Sequence, residues 1–428
     1  MDNSSADYER SPVPEGEGSG GLHIALIIIG GTIGFSIFVV ASQIGGSLGY
    51  EKGGAAFALG CLILGLMGAT TSYIGAKSRL STYLLTEFAF GNVGAKVVNF
   101  AIALSLVGWY AVISNVLGAT THTMLIDSFG INVPTNAIIV VASFLMIWVT
   151  IKGFSGIDRL ALMFVPVMVA FILYAAYAAR QSGIQGEPAD IGFTFQTAVS
   201  AVIGTYIAGV IIQPDYSRFA KRVSHAVWAV FIALGVVFPL ILFFSAVPGM
   251  VTGNPDMIQV MLLLGILLPA FFLLFLGAWS SNVLCLYSSS LSFATMATKV
   301  KLSIIIATIG FFGTVLAFLP VQEYLIDFLV LLGIAIPPIG AIYVIDTMIL
   351  RRFVMDIDGL DAEPPIRWEA FAAWAIAIAV GYASANGIVG LFFIGSLDSL
   401  VASAAVFLIL NAAARACTRH SVIDSLRP

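Results

Sequence analysis

The feature that most constrains this chain is a series of apolar stretches, each about 20 residues long, with short polar segments between them. A helix of about 20 apolar residues crosses a hydrocarbon core of about 30 Å, so stretches of this length predict membrane spans. Across 428 residues, 59% are hydrophobic and only 10% are charged, which is too little polar surface for a water-soluble domain. The sequence therefore predicts an all-α polytopic membrane protein.

We expect twelve spans. They cover residues 22–48, 54–75, 96–118, 135–153, 158–179, 195–213, 225–247, 258–288, 301–319, 325–350, 368–386 and 396–413. The domain organisation is a disordered tail (1–20), helices 1–5 (21–180), helices 6–10 (190–352), helices 11–12 (366–414) and a C-terminal tail (415–428). The first tail is acidic and rich in Pro, Gly and Ser, which predicts disorder.

The positions of lysine and arginine predict the orientation, because cytoplasmic loops retain basic residues. If the N-terminus is inside, only Lys52 and Arg180 of the 19 basic residues fall on the outer side. We therefore expect both termini in the cytoplasm and the chain in the plasma membrane, which is the inner membrane of a bacterium.

Two apolar segments share a Gly-Thr pair near their centres. Segment 1 contains "IIIGGTIGF" with Gly31-Thr32, and segment 6 contains "AVIGTYIAGV" with Gly204-Thr205. Segment 6 comes five places after segment 1 in the series of spans, an odd number, so these helices run in opposite directions. This is the arrangement of a 5+5 inverted repeat followed by two C-terminal helices.

Glycines in membrane helices have two interpretations. Small residues let helices pack closely, or they mark unwound backbone that must line a cavity or be buried in protein. Because the Gly-Thr pairs occupy corresponding places in the two halves, we favour unwound backbone at both.

Segment 8 carries a group of neutral oxygens. Gly277, Ser280 and Ser281 share one helix face through their i, i+3 and i+4 spacing. A backbone carbonyl and two hydroxyls suit a hard monovalent cation, completed by the carbonyls of Gly30 and Ile33 in segment 1. The alternative is that the serines only bond to carbonyls of the preceding turn.

A planar ligand needs an aromatic face and a buried amide. Segment 3 offers Trp109 beside Gly108, and segment 8 offers Trp279 and Asn282, although a tryptophan in a span can also serve packing or face lipid. The central turns of segments 1, 3, 6 and 8 contain no Asp, Glu, Lys or Arg. We therefore expect a neutral substrate and a metal cation, not a proton, as the coupling ion.

Five stretches resemble the signatures of the nucleobase cation symporter-1 family, within it the cytosine permease branch. They are "YIGAKSRLSTYLLTEFAFG" (73–91), "VGWYAV" (107–112), "PDYSRF" (214–219), "AWSSN" (278–282) and "IPPIGAIYVIDTMILRR" (336–352). The resemblance implies a leucine-transporter-type fold of ten core helices plus two. It also implies alternating access with one sodium ion and one nucleobase or related heterocycle.

The resemblance also implies a site, position by position. The sodium ligands would be the carbonyls of Gly30, Ile33 and Gly277 and the hydroxyls of Ser280 and Ser281. The substrate-binding positions would be Gly34, Leu106, Trp109, Thr205, Tyr206, Ala208 and Asn282. Gly34, Leu106 and Ala208 replace a phenylalanine, a glutamine and a serine of the family, so we expect a substrate bulkier or less polar than cytosine.

Other functions stay open. Within transport there are two alternatives. One is a symporter of another small neutral or zwitterionic solute, of the amino-acid/polyamine superfamily type, and the other is a proton-coupled nucleobase permease. A channel would show rings of charge or a carbonyl filter, and neither is visible in the sequence. An enzyme is disfavoured because the four histidines belong to no catalytic set. The expected partners are the heterocyclic substrate and membrane lipid, without nucleic acid, in a monomer.

Overall fold

The computed structural model describes residues 12–13, 20–33, 35–152, 157–189, 193–294, 296–297, 299–321, 323–357, 359–360 and 363–425. The Gly34 position and most of the tail expected at 1–20 lie outside these residues. The regular elements within them are helices.

The helices follow one another along the chain with short connections. They are α1 (Gly21–Thr32), α2 (Phe35–Ser78), α3 (Thr82–Phe90), α4 (Asn92–Phe129), α5 (Thr135–Lys152), α6 (Ile157–Gln181), α7 (Phe195–Ile211), α8 (Gln213–Ser217), α9 (Val223–Ile232), α10 (Phe238–Thr252), α11 (Met257–Leu263), α12 (Leu267–Ala294), α13 (Leu302–Leu316), α14 (Leu325–Ala335), α15 (Pro337–Ile345), α16 (Trp368–Ala385) and α17 (Gly395–Ser425). π-Helical turns connect α9 to α10 (Ala233–Val237) and follow α15 (Asp346–Leu350).

Every predicted segment overlaps at least one of these helices. In the part of the chain that the structure describes, six helical stretches are long and apolar enough to cross a membrane. They are Ile37–Ser78, Asn92–Phe129, Val223–Thr252, Leu325–Leu350, Trp368–Ala385 and Gly395–Arg415. The architecture is that of a helical membrane protein.

Segments 1 and 2 meet without a loop. The helix α2 contains the second half of segment 1 and all of segment 2, with a kink at Gly49. Gly49 has φ 68°, a conformation that costs glycine little because it has no Cβ. The neighbouring connection packs onto this corner, where the Ala189 amide donates to the Gly46 carbonyl at 2.9 Å. Residues 49–53, which separate the first two predicted spans, are therefore part of the helix α2.

Two local elements differ from the expected segments. The buried helix α3 was not predicted; it begins at the N-cap Ser81, whose hydroxyl accepts from the Leu84 amide at 3.3 Å. The stretch 258–288 is not one helix, because Gly265 adopts φ 68° and separates α11 from α12.

Segment 7 packs along both halves of segment 1. Near the N-terminal end of both segments, Gly21 of α1 lies against His225 of α9. Further along, Gly45 of α2 faces Ala246, and Gly249 faces Ser42, with too little room for a Cβ at either glycine. The π-helical turn Ala233–Val237 lies between these two contact regions and packs against both α1 and α2. Gly235 in this turn lies against Gly65 of segment 2, where there is too little room for a Cβ.

Candidate functional site

Segment 1 is interrupted as the sequence predicts. The helix α1 ends at Thr32, and Ile33 has φ −94° and ψ 80°, outside the helical region. The Ile33 amide still donates to the Ile29 carbonyl at 3.1 Å. Carbonyls in the last turn of a helix lack a following amide partner within the helix, so Gly30 and its neighbours carry oxygens that can serve a ligand. Gly30 is half-buried and Ile33 is buried.

Segment 6 differs from the prediction. The helix α7 continues through Gly204 and Thr205 to Ile211, and the interruption comes at Ile212, with φ −86° and ψ 8°. Gly204 instead packs on the backbone of α14, where a Cβ would collide with the Leu329 carbonyl oxygen. Unwound backbone at Gly204 is therefore wrong, and close helix packing explains this glycine.

The two candidate segments nevertheless meet at a tyrosine. A Cβ placed at Gly31 would lie 3.4 Å from the Tyr206 hydroxyl, so this side chain of α7 reaches the last turn of α1. The Tyr206 ring also lies edge-on to Phe238, with 6.3 Å between centroids. Thr205 uses its hydroxyl locally, donating to the Val202 carbonyl at 2.5 Å. Of Thr205 and Tyr206, it is therefore Tyr206 whose side chain contacts segment 1.

Trp109 is buried and faces a residue that sequence reasoning missed. The Phe328 ring of α14 lies edge-on to Trp109, with 5.8 Å between ring centroids and 77° between ring planes. A Cβ at Gly108 would lie 2.7 Å from the Phe328 ring, so the glycine makes room for this aromatic pair. Leu106, three residues before Trp109 in α4, is also buried, and so is Ala208 in α7. A glycine at position 108 indicates that a bulky side chain packs there, but the sequence does not show which residue supplies it.

The predicted ion ligands of segment 8 lie in an unbroken part of α12. Gly277 is buried and Ser281 is half-buried, while the Ser280 side chain lies outside the described set. The helix α12 packs against α2, which begins at Phe35 directly after the interruption of segment 1. Among the described residues no three His, Cys, Asp or Glu side chains group together. The candidate ion site therefore consists of neutral oxygens.

The aromatic and amide groups of segment 8 face elsewhere. The Asn282 amide donates to the Ser114 hydroxyl at 2.8 Å and is fully buried. Ser114 follows Trp109 by five residues, so the two point about 140° apart around α4. Trp279 lines a cavity of about 340 Å³ between α4, α5 and α12, together with Leu117. The structure therefore does not bring Asn282 or Trp279 to the Trp109 ring.

Residues 22–404 match the family described as "Permease for cytosine/purines, uracil, thiamine, allantoin". The chain belongs to the nucleobase cation symporter-1 family. It is therefore an integral membrane transporter, not an enzyme, as the sequence predicted.

Relatives of this family member match over most of their length. The cytosine permease of Escherichia coli strain K12 is 27% identical over 386 residues, which cover 88% of this chain and 89% of the relative. The same figures hold for the cytosine permease of Escherichia coli O157:H7.

Solved structures share the fold. Mhp1, a nucleobase-cation-symport-1 family transporter in a closed conformation with bromovinylhydantoin bound, gives a TM-score of 0.77 at 19% identity, covering 93% of both chains. Its inward-facing conformation gives 0.78 at 18% identity, covering 94% of this chain and 93% of Mhp1. A Na⁺-coupled sialic acid symporter gives 0.63 at 14% identity, covering 92% and 90%.

Proposed function

We propose that this family member is a sodium-coupled symporter that imports a neutral nucleobase-like heterocycle by alternating access. It would use twelve spans, with helices 1–5 and 6–10 as inverted repeats, as a monomer in the plasma (bacterial inner) membrane with both termini in the cytoplasm. The relatives support this reading, because they include cytosine permeases and a transporter solved with a hydantoin bound. The closed and inward-facing forms of Mhp1 support alternating access.

The observation that carries the proposal is the interruption of segment 1 at Ile33 beside Tyr206. Backbone that leaves the helix inside an apolar segment must be buried in protein or line a cavity. Here the last turn of α1 offers carbonyl oxygens, and Tyr206 brings a side chain of α7 to the same place. Transporters of inverted-repeat design place substrate and ion at such interruptions.

The substrate would bind along the face of α4 that carries Leu106 and Trp109. Trp109 would offer a ring face to a planar heterocycle, with the edge-on Phe328 ring as a wall. Thr205 and Tyr206 of α7 would contact the ring from the side of the interruption. Leu106 and Ala208 present only carbon, so the site has fewer hydrogen-bonding groups for a polar ring. Together with Gly34, this favours a substrate bulkier or less polar than cytosine. Asn282 is left out, because its amide donates to Ser114.

The sodium ion would be held by the carbonyls of Gly30, Ile33 and Gly277 and by the hydroxyls of Ser280 and Ser281. The ion would neutralise the partial charges of these oxygens and couple substrate binding to the sodium gradient. The central turns of segments 1, 3, 6 and 8 lack an ionisable group that could carry a proton instead.

Uptake into proteoliposomes tests the proposal. Purified protein is reconstituted with an inward sodium gradient, an inward proton gradient, or neither. The substrates are labelled cytosine, uracil, hypoxanthine, allantoin, a 5-substituted hydantoin and a neutral amino acid. We expect concentrative uptake of a heterocycle only with the sodium gradient. Uptake driven by protons alone, or of the amino acid alone, would refute the proposal.

A further inference from the structure

The connection between α16 and α17, residues 386–394, presents a run of apolar side chains outward. Its sequence, NGIVGLFFI, contains no charged residue. Five large apolar side chains in it are between 46% and 72% exposed: Ile388, Val389, Leu391, Phe392 and Phe393. Exposed apolar side chains grouped in this way mark a surface that contacts a protein or a membrane. We call residues 386–394 the apolar loop.

A buried carboxylate holds the apolar loop in place. Asp398, in the first turn of α17, is buried and accepts from the amides of Leu391 and Phe392, both at 3.1 Å. It also accepts from the hydroxyl of Ser384 in α16. Gly390 passes so close that a Cβ there would lie 2.9 Å from a side-chain oxygen of Asp398 and of Ser384. The loop therefore follows a fixed course that turns its apolar side chains outward.

Several backbone donors of the apolar loop are satisfied inside the protein. Gly387, with φ 69°, ends α16, and its amide donates to the Ser384 carbonyl at 2.9 Å. The Ile388 amide donates to the Ala383 carbonyl, also at 2.9 Å, which completes a Schellman motif. Together with the two amides on Asp398, four loop amides thus have partners within the chain. Irregular backbone needs such partners where water is scarce, because an unpaired amide is costly in lipid.

The length of α16 places the apolar loop at the edge of the bilayer. The helix has 18 residues, which is about 27 Å at 1.5 Å per residue, whereas the hydrocarbon core is about 30 Å thick. Its first residue, Trp368, is exposed, as an indole at the membrane interface should be. Arg367, directly before it, is paired with Asp346 in a polar cluster. With Trp368 at one membrane surface, α16 reaches only the opposite edge of the hydrocarbon, where the apolar loop follows.

The apolar loop continues the lipid-facing surface of the two helices that it connects. Ile376 of α16 and Val401 and Ile409 of α17 are exposed large apolar residues. In a helical membrane protein such side chains contact lipid. The exposed side chains of the loop extend this surface without an intervening charge.

We propose that the apolar loop inserts into the lipid bilayer, on the side of the membrane opposite to Arg367. The acyl chains of the surrounding phospholipids contact Leu391 and its apolar neighbours. The inserted loop extends α16, which is shorter than the hydrocarbon core, to the far interface. Asp398 is a positioning residue that fixes the loop by accepting its amides. The inference does not depend on the transported substrate or on the coupling ion.

Nitroxide accessibility in lipid nanodiscs tests the proposal on the full chain. The three native cysteines are replaced by alanine, and one labelled cysteine is introduced at a time. Leu391→Cys probes the apolar loop, Ile409→Cys on α17 is the lipid control, and Gln185→Cys, in the exposed connection before α7, is the water control. Oxygen concentrates in hydrocarbon and a nickel chelate in water, so the ratio of their collision rates reports the medium around the label. We expect the ratio at position 391 to approach that at 409 and to exceed that at 185.

Three results would overturn the proposal. A ratio at position 391 equal to that at 185 would place the loop in water. Low collision rates with both reagents, together with magnetic coupling between the labels of two chains, would assign this surface to a second copy of the chain. Low rates with both reagents without such coupling would place the loop beneath another part of the same chain.

Variants in the Leu391→Cys background test the role of the carboxylate. Asp398→Ala leaves two loop amides without their acceptor, so we expect the label to become more mobile and more accessible to nickel. Asp398→Asn should restore the insertion, because it offers one oxygen to the amides and an NH₂ to Ser384. Ser399→Ala is the matched control, since this buried hydroxyl donates to the Ser396 carbonyl at 3.0 Å, and it should leave the ratio unchanged. An unchanged ratio in Asp398→Ala would contradict the positioning role.

Discussion

The ring of Phe328 lies edge-on to the indole of Trp109, 5.8 Å away between centroids. The two residues come from α14 and α4, and Gly108 provides the space for their contact. In the proposed function one face of this pair receives the transported heterocycle.

Removing either ring is expected to weaken substrate binding to a different degree. Trp109→Ala removes the stacking face, so binding of the heterocycle should be lost. Phe328→Ala removes the proposed wall of the site, and the loss of one aromatic contact to the ligand, about 0.5–1.5 kcal/mol, is about 2- to 12-fold in Kd. Ligand-induced shifts in thermal stability measure both. Trp228→Ala, at an exposed indole, is the control and should bind like the wild type. Unchanged affinity in Trp109→Ala would return this residue to a packing role.

Ser281→Ala is expected to act on the ion. Loss of one hydroxyl ligand should raise the sodium concentration for half-maximal uptake about tenfold, since a hydrogen-bond-strength interaction with an ion is worth about 1.5 kcal/mol. The selectivity among heterocycles should stay unchanged. Ser289→Ala lies two turns further in α12, where its hydroxyl donates to the Leu286 carbonyl at 3.0 Å, and should match the wild type. A change of substrate selectivity at constant sodium dependence would contradict the ion assignment.

The double variant Leu106→Gln with Ala208→Ser is expected to move selectivity toward cytosine. Each change adds a hydrogen-bonding group at a buried position, worth about 0.5–1.5 kcal/mol, so competition by cytosine should improve about 5- to 150-fold. The two single variants show whether the effects add. If cytosine competes no better in the double variant, these side chains do not face the ring.

Asp346 is expected to be essential for stability. It is 1% exposed and accepts from Arg351 at 2.7 Å and from Arg367 at 2.6 Å. Arg367 also donates to the Phe88 carbonyl at 2.7 Å, so the carboxylate joins α16 to α3. Asp346→Asn removes the buried carboxylate that Arg351 and Arg367 share, leaving Arg351 with Glu363 alone, and should lower the free energy of unfolding by about 3–5 kcal/mol. Thermal melts in detergent measure it, and Asp127→Asn, at an exposed carboxylate, should leave the melting temperature unchanged.

Glu363 is expected to give this region a pH dependence. The hydrogen bond from Arg351, at 2.7 Å, lowers the pKa of Glu363, which lies in the connection before α16. A carboxyl whose pKa is lowered on folding stabilises the protein above its unfolded pKa, and this stabilisation is lost as the pH falls through the folded value. Glu363→Gln should therefore lose up to about 1 kcal/mol at pH 7. Below the folded pKa of Glu363 the variant and the wild type should melt alike. A constant difference at every pH would assign the effect to packing.

The sequence predicted what depends on hydropathy and missed what depends on contact. The apolar length of each segment is enough to place a helix, because a span must satisfy its own backbone in lipid. The helix α3 has only nine residues, so a search for stretches of about 20 apolar residues passes over it. Its signal was the N-cap Ser81 before Thr82.

Glycines in membrane helices show the same limit. Gly31 and Gly204 stand in similar local sequences, yet only the first lies near an interruption. The backbone of α14 packs directly against Gly204, although it lies more than 100 positions away in the sequence. The partner that decides between packing and unwinding is absent from the local pattern, and so is Phe328 beside Gly108.

The π-helical turn Ala233–Val237 has a mechanical consequence for the interruption at Ile33. The first half of segment 1, which is α1, packs on α9. Its second half, at the start of α2, packs on α10, where Gly45 faces Ala246. If the angle between the two halves of segment 1 changes, the angle between α9 and α10 has to change with it. A π-helical turn contains one residue more than the α-helical ladder accommodates, and it is a place where a helix can bend without losing its hydrogen bonds. A bend at this turn would therefore leave α9 packed on α1 and α10 packed on the second half of segment 1.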